Sequence, residues 1–331
     1  MLQIQRPGTL LRDHRATSSV FVDIARRNRA RIVCLAVTLL CLIGSGSGCR
    51  SLRCKKDSDE TIAVTRQLSL QGKDAQQKGQ WDQAEAYFAE AVQRLPTDER
   101  ARYGYAESLW QRGAQEQAVV HMTEAVKLSG DDPERVVQLG QMYFTLGNLP
   151  AAARQADKAI AANKHLPNAW ALKASVQRAT GQNEEALATY HRALSLQPHF
   201  PAAQIAVAEL YDGSGRPQRA LATLQSLADQ FPPGSVPPDV LFREGLVLNR
   251  LGRHQDAADC LAAAARLKPT PELLVELARA RLQAGDVGSA TLANNGALQM
   301  DPYHPAAIQL RSELAARQHN FAALPQPEAM R

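Results

Sequence analysis

The chain has 331 residues, 45% hydrophobic but only 5% aromatic, with ordinary numbers of glycine and proline. That balance excludes collagen-like and low-complexity classes. The net charge of +5 lies wholly in residues 1–31, where Arg6, Arg12, Arg15, Arg26, Arg27, Arg29 and Arg31 face only Asp13 and Asp23. The other 31 basic and 31 acidic residues cancel. A neutral body has no general attraction for phosphate backbones, so no nucleic-acid partner is expected.

At the amino terminus, Arg26, Arg27, Arg29 and Arg31 precede an apolar run, Ile32–Ile43, and then a small-residue stretch ending at Cys49. A charged start, about a dozen apolar residues and a small-residue exit are the order of a secretory signal. The run is shorter than the ~20 residues a spanning helix needs. Ser47, Gly48 and Cys49 resemble the lipobox of bacterial lipoproteins, although Gly46 stands where that family favours leucine. The resemblance implies a signal peptide over 1–48, acylation of Cys49, and attachment of the protein to a membrane in the cell envelope. Residues 49–64 are polar and charged and read as a tether. Three other cysteines, Cys34, Cys41 and Cys54, crowd the same region, and Cys260 stands alone in the body. This is neither a disulfide framework nor a zinc spacing.

The body is periodic. Glycine recurs at Gly79, Gly113, Gly147, Gly181, Gly215, Gly252 and Gly285, first at intervals of 34, then 37 and 33. Alanine follows each by five residues: Ala84, Ala118, Ala152, Ala186, Ala220, Ala257 and Ala290. Glycine or alanine precedes each by seven: Gly72, Ala106, Gly140, Ala174, Ala208, Gly245 and Ala278. Such a period marks stacked supersecondary units that cannot bury their apolar faces alone. With prolines near the unit ends at Pro96, Pro198, Pro232, Pro269 and Pro302, the pattern resembles the tetratricopeptide repeat (TPR). The resemblance implies an all-α, right-handed superhelical solenoid of about seven helix-turn-helix repeats. Their expected bounds are 65–98, 99–132, 133–166, 167–200, 201–234, 238–270 and 271–304. A capping helix over 305–317 and a flexible tail over 318–331 complete the expected layout. The longer segment Phe231-Pro-Pro-Gly-Ser-Val-Pro-Pro238 is expected to kink the array and separate five units from two. Asn294 and Gly296 are expected to weaken the last second helix.

The chain carries no HExxH pair, P-loop or GxSxG elbow. The histidines are scattered and Cys260 sits among alanines, so it reads as a small buried hydrophobe. The expected protein is therefore non-catalytic, with no cofactor, no metal and no evident small-molecule substrate. In the repeat family the first helices line a concave groove. The resemblance places Tyr103, Glu107, Trp110, Val137, Gln141, Phe144 and Arg178 on that face, as an aromatic and apolar patch with a polar rim. Such patches are binding surfaces, and a partner peptide or helix is the expected ligand. Repeat arrays that clamp a chaperone tail's carboxylate place asparagine at repeat position 6. That position here reads Leu70, Gly104, Gln138, Leu172, Ala206, Arg243 and Glu276, so no clamp is expected. The function implied is an envelope-tethered interaction scaffold. The alternatives are a substrate-targeting accessory subunit of an envelope enzyme or assembly machine, and a cytoplasmic adaptor with a misread amino terminus.

Overall fold

The computed structural model describes residues 48–232 and 234–322, with side chains from Ser58 to Arg317. The arginine-rich start, the apolar run, the Cys49 side chain and residues 323–331 lie outside what it describes. Fifteen helices and no strand make up the described residues. They are α1 (Gly48–Gln77), α2 (Trp81–Arg94), α3 (Glu99–Gln111), α4 (Gln115–Leu128) and α5 (Pro133–Thr145). Then come α6 (Leu149–Ala162), α7 (Pro167–Ala179), α8 (Asn183–Leu196), α9 (Pro201–Gly213) and α10 (Pro217–Ala228). The last are α11 (Pro238–Arg250), α12 (His254–Leu267), α13 (Pro271–Gln283), α14 (Val287–Met300) and α15 (Pro305–Ala322). Helix α1 runs unbroken through the segment read as a tether. Helix α15 runs five residues beyond the expected cap. No helix among the described residues is long and apolar enough to cross a membrane.

Each hairpin turn is built the same way. The central glycine takes a positive φ, +80° at Gly181, where a side chain would be strained. The next residue then donates back to a carbonyl five residues earlier, as Gln182 N does to Gln177 O at 2.9 Å. The same bond joins Gln80 to Ala75, Ala114 to Leu109, Asn148 to Tyr143, Arg216 to Tyr211, Arg253 to Leu248 and Asp286 to Arg281. This is the Schellman closure of a helix C-terminus. First helices start on a second recurring device. Pro133, Pro167, Pro201, Pro238, Pro271 and Pro305 are each the first helical residue, where the missing N–H costs nothing. Asp98 caps α3 through Arg100 N and Ala101 N, and Asp132 caps α5 through Glu134 N and Arg135 N.

The small-residue columns are where the helices of a hairpin touch. Ala84, Ala118, Ala152, Ala186, Ala220, Ala257 and Ala290 are fully buried. At Gly245 a Cβ would stand 2.6 Å from Leu261 Cγ, closer than carbon atoms pack, so only glycine admits that approach.

The chain forms two compact units, Met1–Pro96 and Thr97–Arg331. In the first, Phe88 of α2 packs onto Gly72 of α1, where an added Cβ would lie 2.7 Å from its ring. Leu68, Ala75, Ala84 and Ala91 complete its core. In the second, every second helix packs against the first helix of the next hairpin, from α4 on α5 to α14 on α15. One apolar cluster runs from Ala208 through Leu224 and Val247 to Leu314. It passes the proline-rich segment without a break, so the expected separation there does not occur. Leu224 and Leu227 of α10 and Val240 and Val247 of α11 fill that junction. Asn294, 1% exposed, also serves the core. Its Nδ2 donates to Ala307 O at 3.0 Å and ties α14 to the cap.

Candidate partner-binding surface

First helices of neighbouring hairpins in the second unit adjoin along one face, as α5 does α7 and α11 does α13. Side chains cross between them. Tyr103 of α3 is the centre of the first group. The Arg135 guanidinium of α5 lies 3.7 Å from its ring centroid, a cation–π contact. Arg135 Nε also donates to Glu99 Oε1 at 2.8 Å. The Tyr103 hydroxyl donates to Glu107 Oε1 and accepts from Gln138 Nε2. Burial, then the Glu107 carboxylate, pushes the Tyr103 phenol up to about 12. It is therefore a neutral donor throughout the physiological range.

Trp110 and Phe144 are half-buried and pack against the core of Met122, Val126, Val136 and Met142. Gln141 is exposed. Val137, expected to line the surface, is only 3% exposed. It sits in the seam between α3–α4 and α5 and offers a partner nothing. Arg178 of α7 belongs to another group. It pairs with Glu209 of α9, whose second oxygen takes Arg243 of α11. Arg250 of α11 pairs with Asp212 Oδ2 at 2.6 Å. The face therefore holds an aromatic group on α3 and α5 and an ionic ladder on α7, α9 and α11.

Glu99, Arg135 and Gln138 around Tyr103, and Glu209, Asp212, Arg243 and Arg250 of the ladder, are not among the residues expected from sequence. A signal for them exists. Glu99 and Arg135 are 36 residues apart, Arg178 and Glu209 31, and Glu209 and Arg243 34. Opposite charges one repeat apart meet across adjacent first helices.

Burial raises the Cys260 thiol to about 11, helped by Glu244 and Asp259, so it stays protonated and poorly nucleophilic. No three His, Cys, Asp or Glu side chains group as a metal site among the described residues.

Models described as tetratricopeptide repeat match residues 69–133, 177–235 and 242–305, together more than half of the chain. A stretch of 140 residues is 29% identical to U-box domain-containing protein 70 of Oryza sativa subsp. japonica. That stretch is 41% of this chain and only 17% of the rice protein. Among solved structures, a tetratricopeptide repeat protein of Parabacteroides merdae superposes with a TM-score of 0.58 at 16% identity. It covers 76% of this chain and 98% of its own. Pseudomonas aeruginosa pilF gives 0.56 at 15% identity, over 65% of this chain and 97% of its own. At such identities the likeness is one of fold. With the matched repeats, the recurring glycine turn and the buried small-residue columns in agreement, the chain belongs to the tetratricopeptide-repeat family.

Proposed function

We propose that this protein is a non-catalytic scaffold, held at the cell envelope by a lipid on Cys49, that binds a peptide or helix of a protein partner along its first helices. TPR arrays are interaction scaffolds, and the observation that carries the binding site is the aromatic group on α3 and α5. Tyr103 is fixed from three sides, by Arg135, Glu107 and Gln138. Trp110 and Phe144 are seated by the core yet half-exposed. Anchors already held in place lose little freedom on binding, and aromatic side chains dominate interface energetics. The tether rests on the arginine-rich start, the apolar run and the lipobox-like Ser47-Gly48-Cys49.

The test is recovery of a partner from detergent-solubilised membranes by the intact chain and by two variants. Gln141→Arg places a long charge on an exposed position and leaves the core alone. Tyr103→Ala, Trp110→Ala, Phe144→Ala removes the anchors, with helicity checked by circular dichroism. Loss of one specific partner in both supports the site. Undiminished recovery by Gln141→Arg and by a folded triple variant places binding elsewhere. For the tether, radiolabelled fatty acid is expected on the intact chain and absent from Cys49→Ala. Equal labelling would sink the lipid anchor.

A further inference from the structure

Helix α15 continues the repeat register without completing a hairpin. Pro305 is its first residue, as in the first helices before it, and Ser312 stands 34 residues after Ala278 in the column of small residues. All seven earlier members of that column, from Gly72 to Ala278, are buried. They face the second helix of their own hairpin: a Cβ on Gly140 would stand 3.0 Å from Gln155 of α6, and one on Gly245 2.6 Å from Leu261 of α12. Ser312 is exposed. Helix α15 packs on α13 and α14 through Ala307, Leu310 and Leu314. Ile308, Ser312, Ala315 and Ala316 form the opposite face, and all four are exposed. Second helices begin sixteen residues after the first-helix proline, as Val287 follows Pro271. That start would fall at residue 321, but α15 itself runs to Ala322. Pro325 and Pro327 come next, inside the span a second helix would need, where proline breaks a helix.

The charges on this face choose its occupant. Arg311 and Glu313 stand on either side of Ser312, one at each rim of the face. A twofold axis through Ser312 turns a second α15 antiparallel to the first, which is the relation of the two helices in a hairpin. It sets Arg311 against the partner's Glu313, and Glu313 against the partner's Arg311. Parallel pairing in the same register would oppose like charges. Glu313 also meets Arg317 of its own helix at 3.5 Å, a contact long enough to share the carboxylate. The same axis lays each Ile308 on the partner's Ala316, a large residue on a small one. It brings the two Ser312 positions together at the centre, where small side chains let helix axes approach. The Ser312 hydroxyl donates to Ile308 O at 3.5 Å, so its burial leaves no donor unpaired. We propose that α15 is a dimerisation helix, each copy supplying the other's missing second helix. One helix pair buries less than the roughly 1,200–2,000 Å² of a stable interface, so the dimer is a weak one, dissociating on the order of 10 µM. It depends neither on the α3–α5 aromatics nor on the lipid.

The test is analytical ultracentrifugation of the full chain in nonionic detergent, at low ionic strength and over about 1–200 µM. A reversible monomer–dimer equilibrium is expected. Arg311→Glu and Glu313→Arg each set like charges together twice, and each is expected to weaken association about tenfold. Both sites are exposed, and a thermal melt checks that the variants fold. Mixing the two single variants is the decisive arm. The Arg311→Glu chain then offers two carboxylates to the two guanidiniums of the Glu313→Arg chain, and the mixture is expected to pair about as tightly as the intact chain. Association through the amino-terminal apolar run or a shared micelle would not respond to these charges. Three results overturn the proposal. The intact chain stays monomeric throughout, which leaves the face to a helix of another protein; either single variant dimerises undiminished; or the mixture pairs no more tightly than the single variants do alone.

Discussion

Ala186 shows how much a single side chain decides here. It is fully buried where α7 and α8 touch, and its column holds alanine in all seven hairpins. Ala186→Leu should overpack the crossing and cost about 1–3 kcal/mol, measured by chemical denaturation; an unchanged midpoint would mean that the crossing can open. Glu244 is the opposite case, a carboxyl 9% exposed on α11. Burial raises it above the usual carboxylate value, with Asp229 adding to the shift and a Gln225 hydrogen bond opposing it. The folded protein therefore holds this proton more tightly than the unfolded chain. Stability falls as pH rises from the ordinary value through the raised one, and the loss persists at neutral pH. Glu244→Gln is expected to raise the melting temperature at pH 7 and to change it little near pH 4. A gain of equal size at both pH values would show that charge burial is not the cause.

At the scale of the element, the helix ends carry the precision. The Asp98 carboxylate accepts from Arg100 N at 2.9 Å and from Ala101 N at 3.1 Å. Asp98→Ala should cost about 0.5–2 kcal/mol, and Asp98→Asn most of it less, since an amide oxygen still caps; equal losses in both would point to the charge instead. The hairpins themselves were readable from sequence, because a glycine turn and two small-residue columns recur with a fixed period. What sequence left unread is lateral. The repeat position of Val137 points it at the surface, but the packed cluster of the adjoining hairpin covers that position. The repeat position of Arg178 sets it beside the aromatics, but a carboxylate one repeat further along, Glu209, holds it. A register fixes which way a residue points from its own helix, and the adjacent helix decides whether that side is open. The proline-rich segment at 231–238 leaves the core continuous for a related reason. Extra loop residues lengthen a connection without altering the apolar faces that α10 and α11 bring together.

Across the whole second unit, stability is a sum over neighbours. Leu310 and Leu314 of α15 are buried in the same cluster as Ala293 and Ala297 of α14. Ending the chain after Asp301 uncovers that face and removes the Ala307 carbonyl from Asn294. Hydrogen exchange should then quicken in α13 and α14 and stay unchanged in α3–α6; a uniform increase would instead mean that the unit unfolds as one body. The ionic ladder has a genetic consequence. The glycine and alanine columns are nearly the same in every copy, so the packing columns would still match across the excision of one whole repeat. The charges would not. Removing the 34 residues 201–234 would delete Glu209 and carry Arg243 to the 31-residue spacing from Arg178 that Glu209 now holds. Two guanidiniums would then face each other across the new junction. The packing columns make the copies interchangeable, while the charges give each copy an address.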